Sequence, residues 1–116
     1  MGIARKYRLT SRKLFKLVYE KGKMLKSRLF VVYFMPIDKE PKVAIVVSKR
    51  FGKAVRRNKL KRRIREIIRG HLPLLKHAII VLPRMKAQNV SFWDLKKDLD
   101  SLLNIIENRD VENESS

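Results

Sequence analysis

The sequence predicts one α+β domain, a sandwich of helices and a four-stranded sheet in the order α-β-β-β-α-β-α. Three observations predict it. Apolar residues recur at helical spacing in three separate stretches, and short β-branched runs between them stop at Pro36 and Pro83. A chain of 116 residues also holds one core of ordinary size rather than two.

Residues 1–9 carry Arg5, Lys6 and Arg8 without periodicity and are expected to form a mobile basic arm. Thr10 or Ser11 caps a first helix bearing Leu14, Leu17 and Val18 on one stripe, and Gly22 is placed to end it in the left-handed conformation. Lys23–Lys26 reads as a short extended piece. Leu29–Met35 is apolar on both faces, with Leu29, Val31 and Tyr33 on one and Phe30, Val32 and Phe34 on the other, so a covered strand is predicted. A turn over Ile37–Pro41 leads into a second strand, Val43–Ser48, and the two are expected to pair as an antiparallel hairpin. A basic helix follows and ends near Gly70, with Pro73 blocking its resumption. Ala78–Leu82 is another buried strand, and strand, helix, strand implies a parallel pair joined by a crossover. Ser91 caps the last helix, with Phe92, Leu95, Leu99, Leu102, Leu103 and Ile106 at helical spacing, and Trp93 is taken as a packing residue. Residues 109–116 form a polar tail expected to fray.

Charge then narrows the function. The formal net charge is +18, and residues 1–93 hold 26 of the 29 basic groups but only 4 of the 11 acids. Self-repulsion at that level calls for a polyanionic partner. Between Val55 and Arg69 there are eight Lys or Arg residues and one acid, Glu66, whereas a merely solvated helix interleaves signs. Leu60, Ile64, Ile67 and Ile68 make a narrow docking stripe, and Asn58, Lys61, Arg62, Arg65 and Arg69 group on the opposite side. Lys53, Arg56, Lys59 and Arg63 carry the charge around the flanks. Arginine and lysine neutralise phosphates, while Asn58 both donates and accepts.

Phe15, Tyr19 and Tyr33 are either core rim or a surface on which unpaired bases stack. Ser48, Lys49 and Arg50, leaving the second long strand, are expected beside the basic helix as further phosphate donors. The inventory for protein catalysis is poor. His71 and His77 lack a carboxylate or serine at a convincing spacing, and Asp94 with Asp98 one turn on reads as a solvated face rather than a metal site. The chain has no cysteine, no signal-like apolar run after its first charges and no apolar stretch of membrane-spanning length, so a reducing, cytoplasmic setting is expected.

Lys49-Arg50-Phe51-Gly52-Lys53-Ala54-Val55 leading into Arg57-Asn58-Lys59-Leu60-Lys61-Arg62-Arg63-Ile64-Arg65, preceded by Phe15-Lys16-Leu17-Val18-Tyr19 and Arg28-Leu29-Phe30-Val31-Val32-Tyr33, resembles the protein subunit of bacterial ribonuclease P. The likeness runs over about residues 8–107 in the same element order. It implies a small protein that joins a catalytic RNA, one protein per RNA, in a holoenzyme that removes the 5′ leader of precursor transfer RNA. The RNA would hold the catalytic Mg2+, and no protein residue would be catalytic. By this resemblance Arg57, Asn58, Lys61, Arg62 and Arg65, with Lys53, Arg56, Lys59 and Arg69 around them, face the catalytic RNA. Phe15, Tyr19 and Tyr33, with Ser48, Lys49 and Arg50, take the single-stranded leader. The resemblance also implies a left-handed crossover around the basic helix, where the general rule predicts a right-handed one. Two departures stand out. Lys59 replaces the arginine that closes the family's Arg-Asn-Arg core and lacks its bidentate fork, and Tyr19 replaces a frequent phenylalanine. The alternative reading is a ribosomal or other RNA-scaffold protein, which needs the basic helix but not the aromatic cleft. A free-standing nuclease and a membrane-surface helix are the remaining rivals.

Overall fold

Two strands that are apolar on both faces have to lie at the centre of a sheet covered on both sides. The structure, a computed structural model, describes residues 3–115; the side chains of Pro73 and of residues 109–115 lie outside that description, and with them the expected frayed tail. Its elements are α1 (Arg12–Lys21), β1 (Lys23–Lys26), β2 (Phe30–Pro36), β3 (Lys42–Ile45), α2 (Ala54–Arg69), β4 (His77–Pro83) and α3 (Phe92–Ser115), the predicted order.

The sheet order is β1-β2-β4-β3. The central pair β2 and β4 is antiparallel over seven residues, from Phe30 opposite Pro83 to Pro36 opposite His77. β3 lies parallel to β4, with Lys42 opposite Ala78 and Ile45 opposite Val81, so the crossover through α2 is present. The expected antiparallel hairpin of β2 and β3 is not formed, because β4 is inserted between them. Ala78–Val81 is buried throughout and competes best for the centre, while β3, with Lys42, Ala44 and Ile45 only half-buried, takes an edge. The Ile37–Pro41 connection therefore crosses the end of β4, where Ile37 N–H donates to the Lys76 carbonyl at 3.1 Å. The antiparallel partner of β2 on its other side is β1. β3 also stops earlier than Ser48, although Val46 N–H still reaches the Val81 carbonyl at 2.9 Å.

Strand alternation divides the core in two. Phe30, Val32, Phe34, Val43, Ile79 and Val81 face Leu60, Ile64, Ile67 and Ile68 of α2 and Leu95, Leu99, Leu102, Leu103 and Ile106 of α3. Tyr33, Met35, Ala44, Ala78, Ile80 and Leu82 face Leu14, Phe15 and Val18 of α1. The result is three layers, with α1 alone on one face and α2 and α3 together on the other. Each fully buried Ile or Leu contributes about 1.5–3 kcal/mol, which is what holds α2 down against its own charge repulsion.

Two local expectations change. Residues 3–9 are not a free arm: Ile3 is buried in the main core, Arg5–Tyr7 makes a single 3-10 turn, and Leu9 N–H donates to the Val43 carbonyl at 2.9 Å. Ile3, Tyr7 and Leu9 supply apolar anchors, and the open backbone of edge strand β3 supplies the hydrogen-bond partner. Met1 and Gly2 lie outside the described residues. Gly22 caps α1 with an ordinary φ of −73° rather than in the left-handed region. Space is its reason: a Cβ there would stand 2.4 Å from the Val18 carbonyl oxygen and 2.8 Å from that of Phe34. Ser11 and Ser91 cap as expected, accepting from the N–H groups of Leu14 and Asp94, each at 3.1 Å.

Candidate nucleic-acid interface

α2 begins without a side-chain cap, at Lys53, and its first turn carries no acid. Its helicity therefore rests on the buried stripe rather than on local signals. The turn before it is built more carefully. Ser48 Oγ accepts Arg50 N–H at 3.1 Å, Phe51 is buried as an anchor, and Gly52 at φ 100° redirects the chain into the helix. Ser48, Lys49 and Arg50 are left exposed at the start of α2, beside the basic helix as predicted.

Along α2 the outward-facing polar and cationic side chains fall into three groups. Asn58, Arg62 and Arg69 point away from the core and are exposed. Lys61 and Arg65, half-buried, line a groove along the β3 edge together with Arg8 and Thr10. Arg56, Lys59 and Arg63 line the opposite flank with Gln88 and Asn89. Arg57 is half-buried and donates through Nε to the Gly52 carbonyl at 3.2 Å, so it also braces the turn. Glu66 pairs with Arg69 at 3.1 Å and tempers the charge at that end. Arg8, Gln88 and Asn89 were not legible as site residues, because each reaches the helix only through tertiary packing.

The aromatic trio assembles on the other face of the sheet. Phe15 and Tyr19 stack with centroids 6.4 Å apart at 9°, and the Tyr19 and Tyr33 rings lie 4.7 Å apart. Tyr19 is half exposed, while Phe15 and Tyr33 are half-buried against α1's layer. Desolvation, followed by the neighbouring Tyr19, pushes the Tyr33 phenol upward, so that ring stays neutral. Partly exposed aromatic faces are what base stacking requires. The aromatic surface and α2 are thus on opposite sides of the sheet and not in one cleft.

The other polar groups are committed to structure. Asp98 Oδ2 accepts from both Ser27 Oγ and Leu29 N–H at 2.8 Å, which fixes the β1–β2 connection to α3. His71 lies between Asp100 Oδ1 at 2.7 Å and Glu107 Oε1 at 2.8 Å, joining the end of α2 to α3. Lys96 completes that group by donating to Asp100 at 2.5 Å. His77 is buried with its ring edge-on to Phe34. No group of three His, Asp or Glu residues suited to a metal ion occurs among the described residues, and no described helix is long and apolar enough to cross a membrane. The chemistry this surface offers is the binding of phosphates and bases.

Comparison with known proteins agrees. Residues 3–107 match the family model described as Ribonuclease P. The ribonuclease P protein component of Thermotoga maritima is 40% identical over 113 residues, covering 91% of this chain and 97% of the relative. That of Staphylococcus carnosus is 38% identical over 103 residues, covering 85% and 89%. Among solved structures, the RNase P protein of Thermotoga maritima in complex with 1-(4-fluorophenyl)-2-thiourea superposes with a TM-score of 0.76 at 40% identity, covering 83% of this chain and 96% of that one. A Staphylococcus aureus RNase P protein mutant with defective mRNA degradation activity gives 0.80 at 35% identity, with 87% and 88% covered.

Proposed function

The chain belongs to the ribonuclease P protein family, and from that premise we propose a division of labour between the two faces of its sheet. As the protein component of a ribonucleoprotein endoribonuclease that processes the 5′ leader of transfer RNA, it contributes binding. The α2 face, with Lys53, Arg56, Arg57, Asn58, Lys59, Lys61, Arg62, Arg65 and Arg69, anchors one catalytic RNA. The α1 face, with Phe15, Tyr19 and Tyr33, stacks the single-stranded leader of precursor transfer RNA. Ser48, Lys49 and Arg50, at the end of the sheet, guide the leader's phosphates. The work takes place in the cytoplasm.

One observation carries this reading: a helix with eight bases and one acid on one side of the sheet, and a partly open stack of three rings on the other. A scaffold protein that binds one RNA needs only the first. On the proposed RNA face α2 offers magnesium a single carboxylate, Glu66, and that one is paired with Arg69. The ion belongs to the RNA, and the protein influences it only through the RNA it holds.

Reconstitution with a catalytic RNA at low magnesium tests the proposal. The wild-type chain should stimulate leader removal, and Tyr19→Ala with Tyr33→Ala should weaken binding of leader-bearing substrate by about 1–3 kcal/mol per lost stack while sparing the mature form. Equal losses for both forms would refute the leader site, and absence of stimulation would refute the function. If about five phosphates are neutralised, log K against log salt falls with a slope near −3.5 for a single strand.

A further inference from the structure

Trp93 is the chain's one tryptophan, and it is 72% exposed although its helix neighbours Leu95 and Leu99 are fully buried. The expectation that it packs is therefore overturned: it lies off the α3 stripe and adds nothing to the core. Its only ring partner among the described residues is Phe92, edge-on with centroids 6.3 Å apart. Phe92, half-buried, in turn lines a groove with Lys59, Arg62 and Arg63 of α2. Lys59 and Arg63 continue from there to Asn89. The exposed indole thus abuts Phe92, which lines a cationic groove whose Lys59 and Arg63 also border the amide of Asn89.

We propose that Phe92 and Trp93, with Lys59, Arg62, Arg63 and Asn89, form a second stacking site that holds an unpaired nucleotide of the catalytic RNA. The inference rests on the reading of α2 as the catalytic-RNA face. Three needs of an unstacked nucleotide meet here: a flat ring to replace its stacking neighbour, cations for its phosphates and an amide that both donates and accepts. Charge complementarity selects the occupant. Lys59, Arg62 and Arg63 exclude a cationic partner such as a second copy of this chain, whose net charge is +18. Position selects the source. The leader's rings Tyr19 and Tyr33 belong to the α1 layer, whereas Trp93 belongs to the α2–α3 layer across the sheet. Two carboxylates bound the path: Asp94 follows Trp93 in the first turn of α3, and Glu66 lines the groove while paired with Arg69. The backbone of the nucleotide accordingly runs on the Lys59–Arg63 side of the ring.

A single tryptophan makes the test direct. Titrating the full chain with catalytic RNA should quench indole emission, with the same midpoint as holoenzyme formation. Trp93→Ala should weaken RNA binding by about 5- to 150-fold, the range for loss of one stacked base, with an unchanged slope of log K against log salt because no phosphate contact is lost. Trp93→Phe should keep most of the affinity, and Arg62→Ala should instead make the slope shallower by about 0.7–0.9. Trp93→Ala must melt at the wild-type temperature, as its exposure predicts; an affinity loss that tracks a lower melting temperature overturns the site. So does an emission unchanged at saturation with wild-type binding by Trp93→Ala. Quenching by precursor transfer RNA alone, or by protein concentration alone, assigns the ring to the leader or to a second copy and equally overturns it. In all of these cases the wild-type chain still binds and stimulates the RNA, whereas loss of both would overturn the functional reading itself.

Discussion

Gly52→Ala isolates the backbone cost of the turn that sets Ser48–Arg50 against α2. Gly52 has φ 100° and ψ −145°, a region that an L side chain avoids. Packing does not contribute, since the nearest atom to an added Cβ is Arg56 Cδ at 3.8 Å, an ordinary contact. The whole penalty is conformational, about 1–3 kcal/mol. For 116 residues the unfolding entropy is about 0.24 kcal/mol/K, so the melting temperature should fall by about 4–12 °C. The same turn carries the bond from Gly52 N–H to the Lys49 carbonyl at 3.0 Å and that from Arg57 Nε to the Gly52 carbonyl. Part of the strain should therefore appear as weaker binding of catalytic RNA. D-alanine supplies the control. Its preferred backbone at this point is the mirror image of an ordinary extended residue, so a semisynthetic chain with D-alanine at 52 should melt at or above the wild-type temperature, by up to about 1 kcal/mol of reduced unfolded-state entropy. Thermal melts by circular dichroism read both variants. An L-alanine variant as stable as wild type, or a D-alanine variant as damaged as the L form, would refute the reasoning.

Gly22→Ala should be as harmful for the opposite reason: its φ suits alanine but its Cβ meets two carbonyl oxygens, and a loss of about 1–3 kcal/mol is expected in urea unfolding. His71→Ala removes the imidazole that hydrogen-bonds both Asp100 and Glu107, and should cost about 1–3 kcal/mol in the same assay. Burial works to raise the Asp100 carboxyl, but the hydrogen bonds from Lys96 and His71 outweigh it and hold the group below the usual carboxylate range. A folded-state value depressed in this way gives stability that is present above the unfolded value and lost as pH falls through the folded one. Unfolding measured from about pH 5 down to about pH 2.5 should thus show a shallower acid limb for Asp100→Asn than for wild type. Tyr19→Ala and Arg62→Ala stand on opposite sides of the sheet, so their effects on binding leader-bearing substrate to the holoenzyme should add to within about 0.5 kcal/mol; strong coupling would argue for one shared cleft.

Local sequence was enough wherever a property is carried by neighbours along the chain. The stripe of Leu60, Ile64, Ile67 and Ile68, the caps at Ser11 and Ser91 and the two-faced apolarity of β2 and β4 are all periodic or pairwise signals, and the structure realises them. The scarcity of acids in α2 needs no fold to imply a polyanion. Strand partners were not legible in the same way, because β3 pairs in parallel with a strand more than thirty residues later, and only competition for the centre of the sheet shows that β4 displaces it from β2. The docking of residues 3–9, the exposure of Trp93 and the grouping of Asn89 with Lys59 and Arg63 follow from that same packing. By itself the sequence determined the elements, their order and the kind of partner. Tertiary structure alone decided that the basic helix and the aromatic trio lie on opposite faces, because alternation along β2 assigns each ring to a face only once the helices that cover those faces are in place.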